Sequence, residues 1–333
     1  MFFFCSGLIG TSLAVSMKSV ALLYFFYGAV GGIGLGIGYI TPVSTLVKWF
    51  PARRGFATGL AIMGFGFASL IGGPLMQKLT ALYGLSTNFL IMGGAYAVVM
   101  TLSSLYLMPP KAGETVDLTK LSDDASDKLK KAAAAQTGRQ YTRREAVQTW
   151  EFWSLWWLFF TNITCGIGLL AVASPMAQEA VGMNAAGAAA LVGAIGIVNG
   201  LGRLAWSTLS DWMGRAATYV LFFVIETAAF FALVQTPSEA VFYILVLTII
   251  SCYGGGFSCM PAFLSDLFGV RQLSSIHGIM LTAWALAGIA GPMLLSVIKE
   301  TTGSYHQTML VFAGLMSAAL VLSIILKIKS TKH

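Results

Sequence analysis

The sequence contains very little charge. Of its 333 residues, 10% are charged and 57% are apolar. A typical soluble domain has about 25% charged residues, and a chain with far fewer cannot cover a surface that faces water. This scarcity excludes a soluble globular protein and predicts a chain whose solvent is mainly lipid.

Cysteine patterns and enzyme motifs are also missing. No two cysteines stand in CxxC spacing, which excludes a zinc site of that type and a disulfide framework; the four are Cys5, Cys165, Cys252 and Cys259. The apolar segments contain no HExxH motif, no GxSxG motif and no pair of acids on one helical face. We therefore expect no enzyme activity, no metal and no cofactor.

Long apolar runs are abundant instead. A helix needs about 20 apolar residues to cross the bilayer core. Such runs occupy 1–16, 20–46, 56–80, 88–108, 152–175, 185–209, 217–236, 240–265, 275–298 and 306–327. They predict an all-α membrane protein with an N-terminal bundle at 1–109, a cytoplasmic linker at 110–150 and a six-helix bundle at 151–333.

The first run, 1–16, is shorter than the others. A signal peptide would need basic residues before its apolar part, and the sequence begins Met-Phe-Phe-Phe-Cys. We interpret this run as the remainder of a longer helix.

Basic residues collect on one side of the alternating spans. If the 110–150 segment is cytoplasmic, 16 of the 20 Lys and Arg residues lie inside, Arg203 lies within a span, and three lie outside, namely Lys18, Lys78 and Lys299. This asymmetry predicts that both termini are cytoplasmic, in a cell inner membrane. It also accounts for the net charge of +7 without a nucleic-acid partner.

The two halves repeat one pattern of proline and glycine. Pro42 precedes Gly59 by 17 residues, and Pro261 precedes Gly278 by the same 17 residues. A Gly-Pro pair follows in each half. Such duplication is typical of transporters made of two related bundles, which bind substrate near the bilayer midplane between the bundles. Six helices in the second half against four in the first predict that two helices are missing at the front.

A charged turn closes the sixth run. Asp211, Gly214 and Arg215 stand at an end that the charge distribution puts in the cytoplasm. An acid and a base at this spacing can form a latch between neighbouring helices, and a solvated turn is the alternative. We add the cytoplasmic pair Arg53 and Arg54 to this structural motif.

Four segments carry motifs that are specific in combination. They are 39–55, with Lys48-Trp49-Phe50; 199–211, with Asn199-Gly-Leu-Gly-Arg203; 251–263, with Met260-Pro261-Ala-Phe263; and 276–292, with His277-Gly278. Together they resemble the oxalate/formate antiporter family of the major facilitator superfamily, over almost the whole chain. The resemblance implies the superfamily fold, with about ten helices (four plus six) of an expected twelve, starting in the family's third helix. We expect a monomer in the lipid bilayer.

One arginine lies well inside a predicted span. Arg203 would cost about 2.5–3.5 kcal/mol at a helix centre, so its presence calls for an explanation. It can bind a carboxylate in a central cavity, with Asn199 one turn away as a further donor. The alternative is that it reaches toward Asp211 at the cytoplasmic end. The resemblance favours binding, because a basic residue at this position faces the substrate in the family.

By the same resemblance, the family's oxalate carriers have a second basic residue in the eleventh helix. The corresponding run, 275–298, contains no Lys or Arg, and Trp284 occupies its middle, where it would shape the cavity. One buried cation suits a monocarboxylate better than a dianion.

Four further residues complete the predicted site. Tyr39 and Tyr253 are candidate donors to the substrate. Glu226 is an acid well within a span and His277 lies near a helix end, so each is a candidate for proton coupling. For Glu226, a polar packing contact is the alternative.

These features predict secondary transport of small organic anions by alternating access, as antiport or proton symport. Monocarboxylates such as formate, lactate or pyruvate come first, and oxalate second. One alternative is a drug exporter of the same superfamily, for which Arg203 would be dispensable. Another is a sensor or remnant that does not transport.

Overall fold

The computed structural model describes residues 1–110, 140–236 and 238–330. The helices in these ranges are α1 (Phe2–Ser16), α2 (Val20–Trp49), α3 (Arg54–Tyr106), α4 (Arg143–Ala146), α5 (Trp150–Val181), α6 (Ala185–Met213), α7 (Arg215–Gln235), α8 (Glu239–Phe268), α9 (Leu273–Thr302) and α10 (Tyr305–Ser330). The described ranges contain no strand, and the predicted all-α class is confirmed.

The predicted apolar runs correspond to these helices. Eight of them, α2, α3 and α5 to α10, are long and apolar enough to cross a membrane, whereas α1 has 15 residues. Two of the predicted runs share α3, which breaks at Gly84, where φ is 80° and a residue with a side chain would be strained. The protein is therefore a multi-pass membrane protein. Most of the predicted linker, residues 111–139, lies outside the described residues.

The chain forms two compact units. One comprises Met1–Phe50 and Ala68–Asp117, and the other comprises Pro51–Phe67 and Leu118–His333. The beginning of α3 therefore belongs to the second unit. The predicted bundle limits at 1–109 and 151–333 stay a prediction.

Small residues hold the helices of the first unit together. A Cβ atom on Gly7 of α1 would lie 2.6 Å from the backbone nitrogen of Gly31 in α2. Lipid provides no hydrophobic drive for helix association, so such close backbone approach supplies much of the attraction. The hydroxyl of Ser86 in α3 adds hydrogen bonds to the hydroxyls of Ser12 (3.0 Å) and Ser16 (2.7 Å).

The helices of the second unit pack in pairs, α6 with α8, α7 with α10, and α5 with α9. Aromatic side chains fill the space between α7 and α10. Phe230 and Phe312 are fully buried and meet edge to face, with their ring centroids 5.7 Å apart.

The α6–α8 pair approaches too closely for side chains at the contact. A Cβ atom on Gly202 of α6 would lie 2.8 Å from the backbone oxygen of Ser251 and 2.9 Å from its Cα. A Cβ atom on Gly254 of α8 would lie 2.6 Å from the backbone oxygen of Asn199. Glycine at both positions therefore brings the backbone of α8 against the turn of α6 that carries Asn199 and Arg203.

Gly202→Ala is expected to destabilise the protein, although alanine usually favours a helix over glycine by about 0.5–1 kcal/mol. The new methyl group would press on backbone atoms of Ser251, and overpacking of this kind costs about 1–3 kcal/mol. A thiol-reactive dye can measure the thermal unfolding midpoint in detergent. The four cysteines are free thiols that are buried in the folded protein, so the dye reaches them when the protein unfolds.

The matched control is Gly193→Ala in the same helix, where a Cβ atom meets nothing within 4 Å. Its midpoint should equal or exceed that of the wild type. Equal midpoints for the two variants would contradict the close α6–α8 contact.

Candidate functional site

Arg203 is buried inside α6. Its residue is 5% exposed, in the middle of a helix that is apolar enough to cross a membrane. Its backbone oxygen accepts hydrogen bonds from the hydroxyl of Ser207 (2.5 Å) on the same helix and from that of Ser258 (2.7 Å) on α8. The carbonyl is therefore fixed from two sides, and the position of the side chain is set by the α6–α8 packing.

The guanidinium group of Arg203 points toward the N-terminal end of α6. Its Nε donates a hydrogen bond to Oδ1 of Asn199, one turn earlier, at 3.2 Å. Its Cζ lies over the ring of Phe257, 5.0 Å from the centroid. An aromatic face stabilises a cation in a low-dielectric site more strongly than in water. Asp211, the alternative partner considered above, lies two turns toward the other end of the helix.

Phe257 gathers the predicted residues into one cluster. Its ring meets Tyr253 at 5.5 Å and Trp284 at 5.3 Å, centroid to centroid and nearly perpendicular in both cases. The structure therefore brings Arg203, Asn199, Tyr253 and Trp284 together around a residue that the sequence analysis missed. The available signal was its spacing, because Phe257 follows Tyr253 by four residues and so shares its helix face.

Two other predicted residues, Tyr39 and His277, are also buried. Tyr39 is buried in α2, within the first unit, and is 2% exposed. His277 is 1% exposed, near the start of α9 and seven residues before Trp284. Seven residues correspond to two helical turns, so His277 and Trp284 lie on one side of α9.

Glu226 forms a polar contact in the interior of the second unit. The side-chain nitrogen of Asn162 in α5 donates to both of its carboxyl oxygens, at 2.9 and 3.0 Å. Glu226 is fully buried and Asn162 is 1% exposed. This geometry is the packing contact considered as the alternative, and proton coupling by Glu226 stays a prediction. Within the described residues, no group of three His, Cys, Asp or Glu side chains could hold a metal.

A charged cluster joins the ends of four helices in the second unit. We call it the latch; its residues are Arg54, Asp211, Arg215 and Asp266. The carboxylate of Asp211 accepts hydrogen bonds from the backbone N–H groups of Gly55 (3.0 Å) and Phe56 (2.9 Å) in the first turn of α3. It is also paired with Arg215, and the two side chains are 7% and 9% exposed. The N–H groups at a helix start carry partial positive charge, which stabilises a carboxylate there.

Asp266 at the end of α8 extends the latch. Its carboxylate accepts hydrogen bonds from Nη1 of Arg54 (3.1 Å) and Nε of Arg215 (3.2 Å). Gly214 separates α6 from α7 with a φ of 85°, a conformation that a residue with a side chain rarely adopts. This sharp turn lets Arg215 contact Asp211 across the helix break. The contacts favour a latch over a solvated turn.

The two neighbouring arginines at the start of α3 have different surroundings. The side chain of Arg54 is 3% exposed and also donates to the hydroxyl of Ser265 at 3.3 Å. Arg53 is exposed. The sequence analysis assigned both arginines to the structural motif of Asp211 and Arg215, and it is Arg54 that contacts Asp266 in the latch.

Comparison with known proteins relates the chain to membrane transporters. Residues 1–292 match the Major Facilitator Superfamily. The uncharacterized MFS-type transporter YhjX of Escherichia coli (strain K12) is 27% identical, over 84% of this chain and 66% of its own length. Apicoplast pyruvate carrier 1 of Toxoplasma gondii is 27% identical, over 94% of this chain and 66% of its own. The oxalate:formate antiporter of Oxalobacter formigenes is 26% identical, over 86% and 65%.

This chain thus spans about two thirds of the length of these curated relatives. The fold is also found in a solved structure, that of the Major Facilitator Superfamily transporter FucP in the outward conformation. The two superpose with a TM-score of 0.68 over 98% of this chain and 81% of FucP, at 14% identity, which speaks for the fold alone. Since the family match covers residues 1–292 of the 333, the chain belongs to the Major Facilitator Superfamily.

Proposed function

We propose that this chain carries small organic anions across a membrane by secondary transport. Monocarboxylates such as formate, lactate or pyruvate are the first candidates, and oxalate is the second. The names of two relatives, a pyruvate carrier and an oxalate:formate antiporter, support this substrate class. Transport proceeds by alternating access, as exchange of two anions or as movement of an anion with a proton.

The surroundings of Arg203 carry this proposal. A carboxylate that leaves water for a low-dielectric interior must replace its lost hydrogen bonds. A guanidinium group offers five N–H donors in a planar fork that matches a carboxylate. Asn199 orients this fork through Nε, and Phe257 lies against its face. Inside an apolar helix of this kind, a guanidinium group held in this way provides the positive charge that binds a small anion.

The absence of a second basic residue in the run 275–298 favours monocarboxylates. One guanidinium neutralises one carboxylate, and a dianion would leave a second charge to be buried at a cost of several kcal/mol. Trp284 and Tyr253 flank Phe257 in that part of the unit, so aromatic rings would limit the size of the anion.

The latch acts as the element that must open and close during the transport cycle. It ties the start of α3 to the ends of α6 and α8 and the start of α7. The side chains of Arg54, Asp211 and Arg215 are 3–9% exposed, and that of Asp266 is 41% exposed. Breaking the hydrogen bonds of a buried charge costs free energy, so the latch stabilises one arrangement of these helix ends over others. The charge distribution supports a cytoplasmic location for the latch and for both termini, in an inner membrane.

Arg203→Gln is expected to abolish substrate exchange. The variant removes the cation and its paired donors, and two charge-assisted hydrogen bonds correspond to a loss of about 100-fold or more. Proteoliposomes loaded with unlabelled formate, oxalate, lactate or pyruvate, and given the labelled anion outside, measure the exchange rate.

Lys78→Gln is the matched control, because it removes one exposed positive charge in the first unit and should exchange like the wild type. Normal exchange in Arg203→Gln would contradict the carboxylate site. A wild-type chain that exchanges none of the four anions would contradict the proposed function itself.

Arg54→Gln is expected to lower the thermal unfolding midpoint of the purified protein, whereas Arg53→Gln is not. The first variant removes a charged hydrogen bond to Asp266 from a nearly buried position, at a cost of about 1–3 kcal/mol. The second changes an exposed side chain, for which about 0.5 kcal/mol is the usual limit. The thiol-reactive dye proposed for Gly202→Ala measures the midpoints of both variants. Equal midpoints would contradict the assignment of Arg54 to the latch.

The topology can be tested with single cysteines at exposed positions. A membrane-impermeant maleimide should label Lys18→Cys in intact cells, and it should label Lys329→Cys only after the cells are permeabilised. The native cysteines are buried and give little background. Labelling of Lys329→Cys from outside would reverse the proposed orientation.

A further inference from the structure

An open cavity lies at the end of the second unit where α9 begins and α4 leads into α5. Its volume is about 530 Å³. We call it the arginine cavity; it is lined by Thr142, Arg143, Arg144, Arg271, Gln272, Ser274 and Ser275. Three lining residues are arginines, three carry hydroxyl groups, and none of these described residues is acidic. Neither the carboxylate site nor the latch uses them.

The two chain segments that supply the arginines are fixed to each other. The side-chain oxygen of Gln140 accepts hydrogen bonds from the backbone N–H groups of Val270 (3.0 Å) and Arg271 (3.1 Å). In the opposite direction, the side-chain oxygen of Gln272 accepts from the backbone N–H of Arg143 at 2.7 Å. The arginines are therefore positioned by crossed contacts, as in a site that is formed before its ligand arrives.

Further contacts strengthen this junction. The backbone N–H of Tyr141 donates to the oxygen of Phe268 at 3.0 Å, and the two rings meet edge to face at 5.5 Å. Gly269 turns the chain with a φ of 81°, and a Cβ atom there would lie 2.6 Å from Cδ of Gln140. The loop between α8 and α9 thus follows the 140–146 segment closely.

The electrostatics of the arginine cavity favour an anion. The nearby carboxylate of Glu145 accepts from the backbone N–H (2.7 Å) and the hydroxyl (2.9 Å) of Thr142, which closes the first turn of α4. Ser274 and Ser275 stand in the first turn of α9, a 30-residue helix whose start has no side-chain cap. Its N–H groups add positive potential to that of the arginines. Arginine forks bind the tetrahedral oxygens of a phosphate group with paired hydrogen bonds.

The position of the arginine cavity relative to the apolar helices indicates which phosphate it meets. Trp150 and Trp153, at the start of α5, are 39% and 47% exposed. Exposed tryptophans at the end of a spanning helix lie at the level of the lipid headgroups. Lys329 covers the ring of Trp150 at 4.1 Å, which adds a cation at the same level. Only a few residues separate these tryptophans from Arg143 and Arg144.

We propose that the arginine cavity binds the phosphate group of an anionic phospholipid. The lipid belongs to the leaflet at this end of the bundle, which is the cytoplasmic leaflet in the proposed topology. The bound headgroup would bridge the 140–146 segment and the start of α9, and so stabilise their junction. This inference does not depend on which anion the chain transports.

The test measures lipid binding to the purified chain of 333 residues. Native mass spectrometry in detergent, with phosphatidylglycerol or phosphatidylcholine added, gives the fraction of protein that retains each lipid. We expect a preference for phosphatidylglycerol in the wild type. Arg271→Gln should weaken that binding about fivefold, the contribution of one cationic side chain at an anionic surface. The triple variant Arg143→Gln, Arg144→Gln, Arg271→Gln should bind the two lipids equally.

Lys327→Gln is the matched control. It removes one exposed positive charge from the same end of α10 that carries Lys329, outside the cavity lining, and should retain the wild-type preference. The three arginines are exposed, so glutamine at these positions should leave folding intact, which the thermal unfolding midpoint without lipid can verify.

Three outcomes would overturn the proposal. The first is equal retention of the two lipids by the wild type, and the second is an unchanged preference in the triple variant. The third is an Arg271-dependent rise in the unfolding midpoint with inorganic phosphate, without lipid preference, which would assign the cavity to a soluble phosphate compound. Lipid retention is measured without transport, so its result is independent of the exchange assay.

Discussion

The close contact between α6 and α8 is the interaction on which the candidate site depends. Without side chains at Gly202 and Gly254, the two backbones meet, and the hydroxyl of Ser258 reaches the carbonyl of Arg203. The same approach places Phe257 beneath the guanidinium group. In lipid, apolar burial contributes little to helix association, and small residues allow the close backbone approach that holds two helices together. The glycines of this chain therefore determine where its buried charge lies.

A second constraint is that charge is costly within the bilayer, and it explains how the charged residues of the second unit are arranged. Most stand at or near helix ends; four of them form the latch, and three arginines line the arginine cavity. Arg203 and Glu226 are the exceptions within the described spans of this unit, and each has a defined polar contact, Asn199 in one case and Asn162 in the other. The two contacts differ in kind. The Glu226 carboxylate accepts both hydrogen bonds from one amide, whereas the Arg203 guanidinium is a donor with five N–H groups, one of which bonds to Asn199.

The sequence was informative where one physical rule dominates. Apolar length alone located the helices, since few other structures satisfy the backbone in lipid. The cost of a buried charge was enough to single out Arg203. Contacts that depend on helix rotation could not be read in this way. Phe257 looked like any apolar core residue, and Arg53 and Arg54 looked equivalent until the start of α3 fixed which of them turns toward Asp266. The tie between Gln140 and the loop before α9 joins residues about 130 positions apart, beyond the reach of any local pattern.

One helix connects the candidate site with the latch. Arg203, Ser207 and Asp211 stand at four-residue intervals, so they follow one face of α6 over roughly 12 Å. Ser207 bonds to the carbonyl of Arg203, and its own backbone oxygen lies 3.5 Å from Nη1 of Arg215. A helix transmits a rotation or shift along its axis as a rigid body, because its turns are hydrogen-bonded to one another. An anion that draws Arg203 to one side would therefore act on the same helix whose far end holds the start of α3 through Asp211.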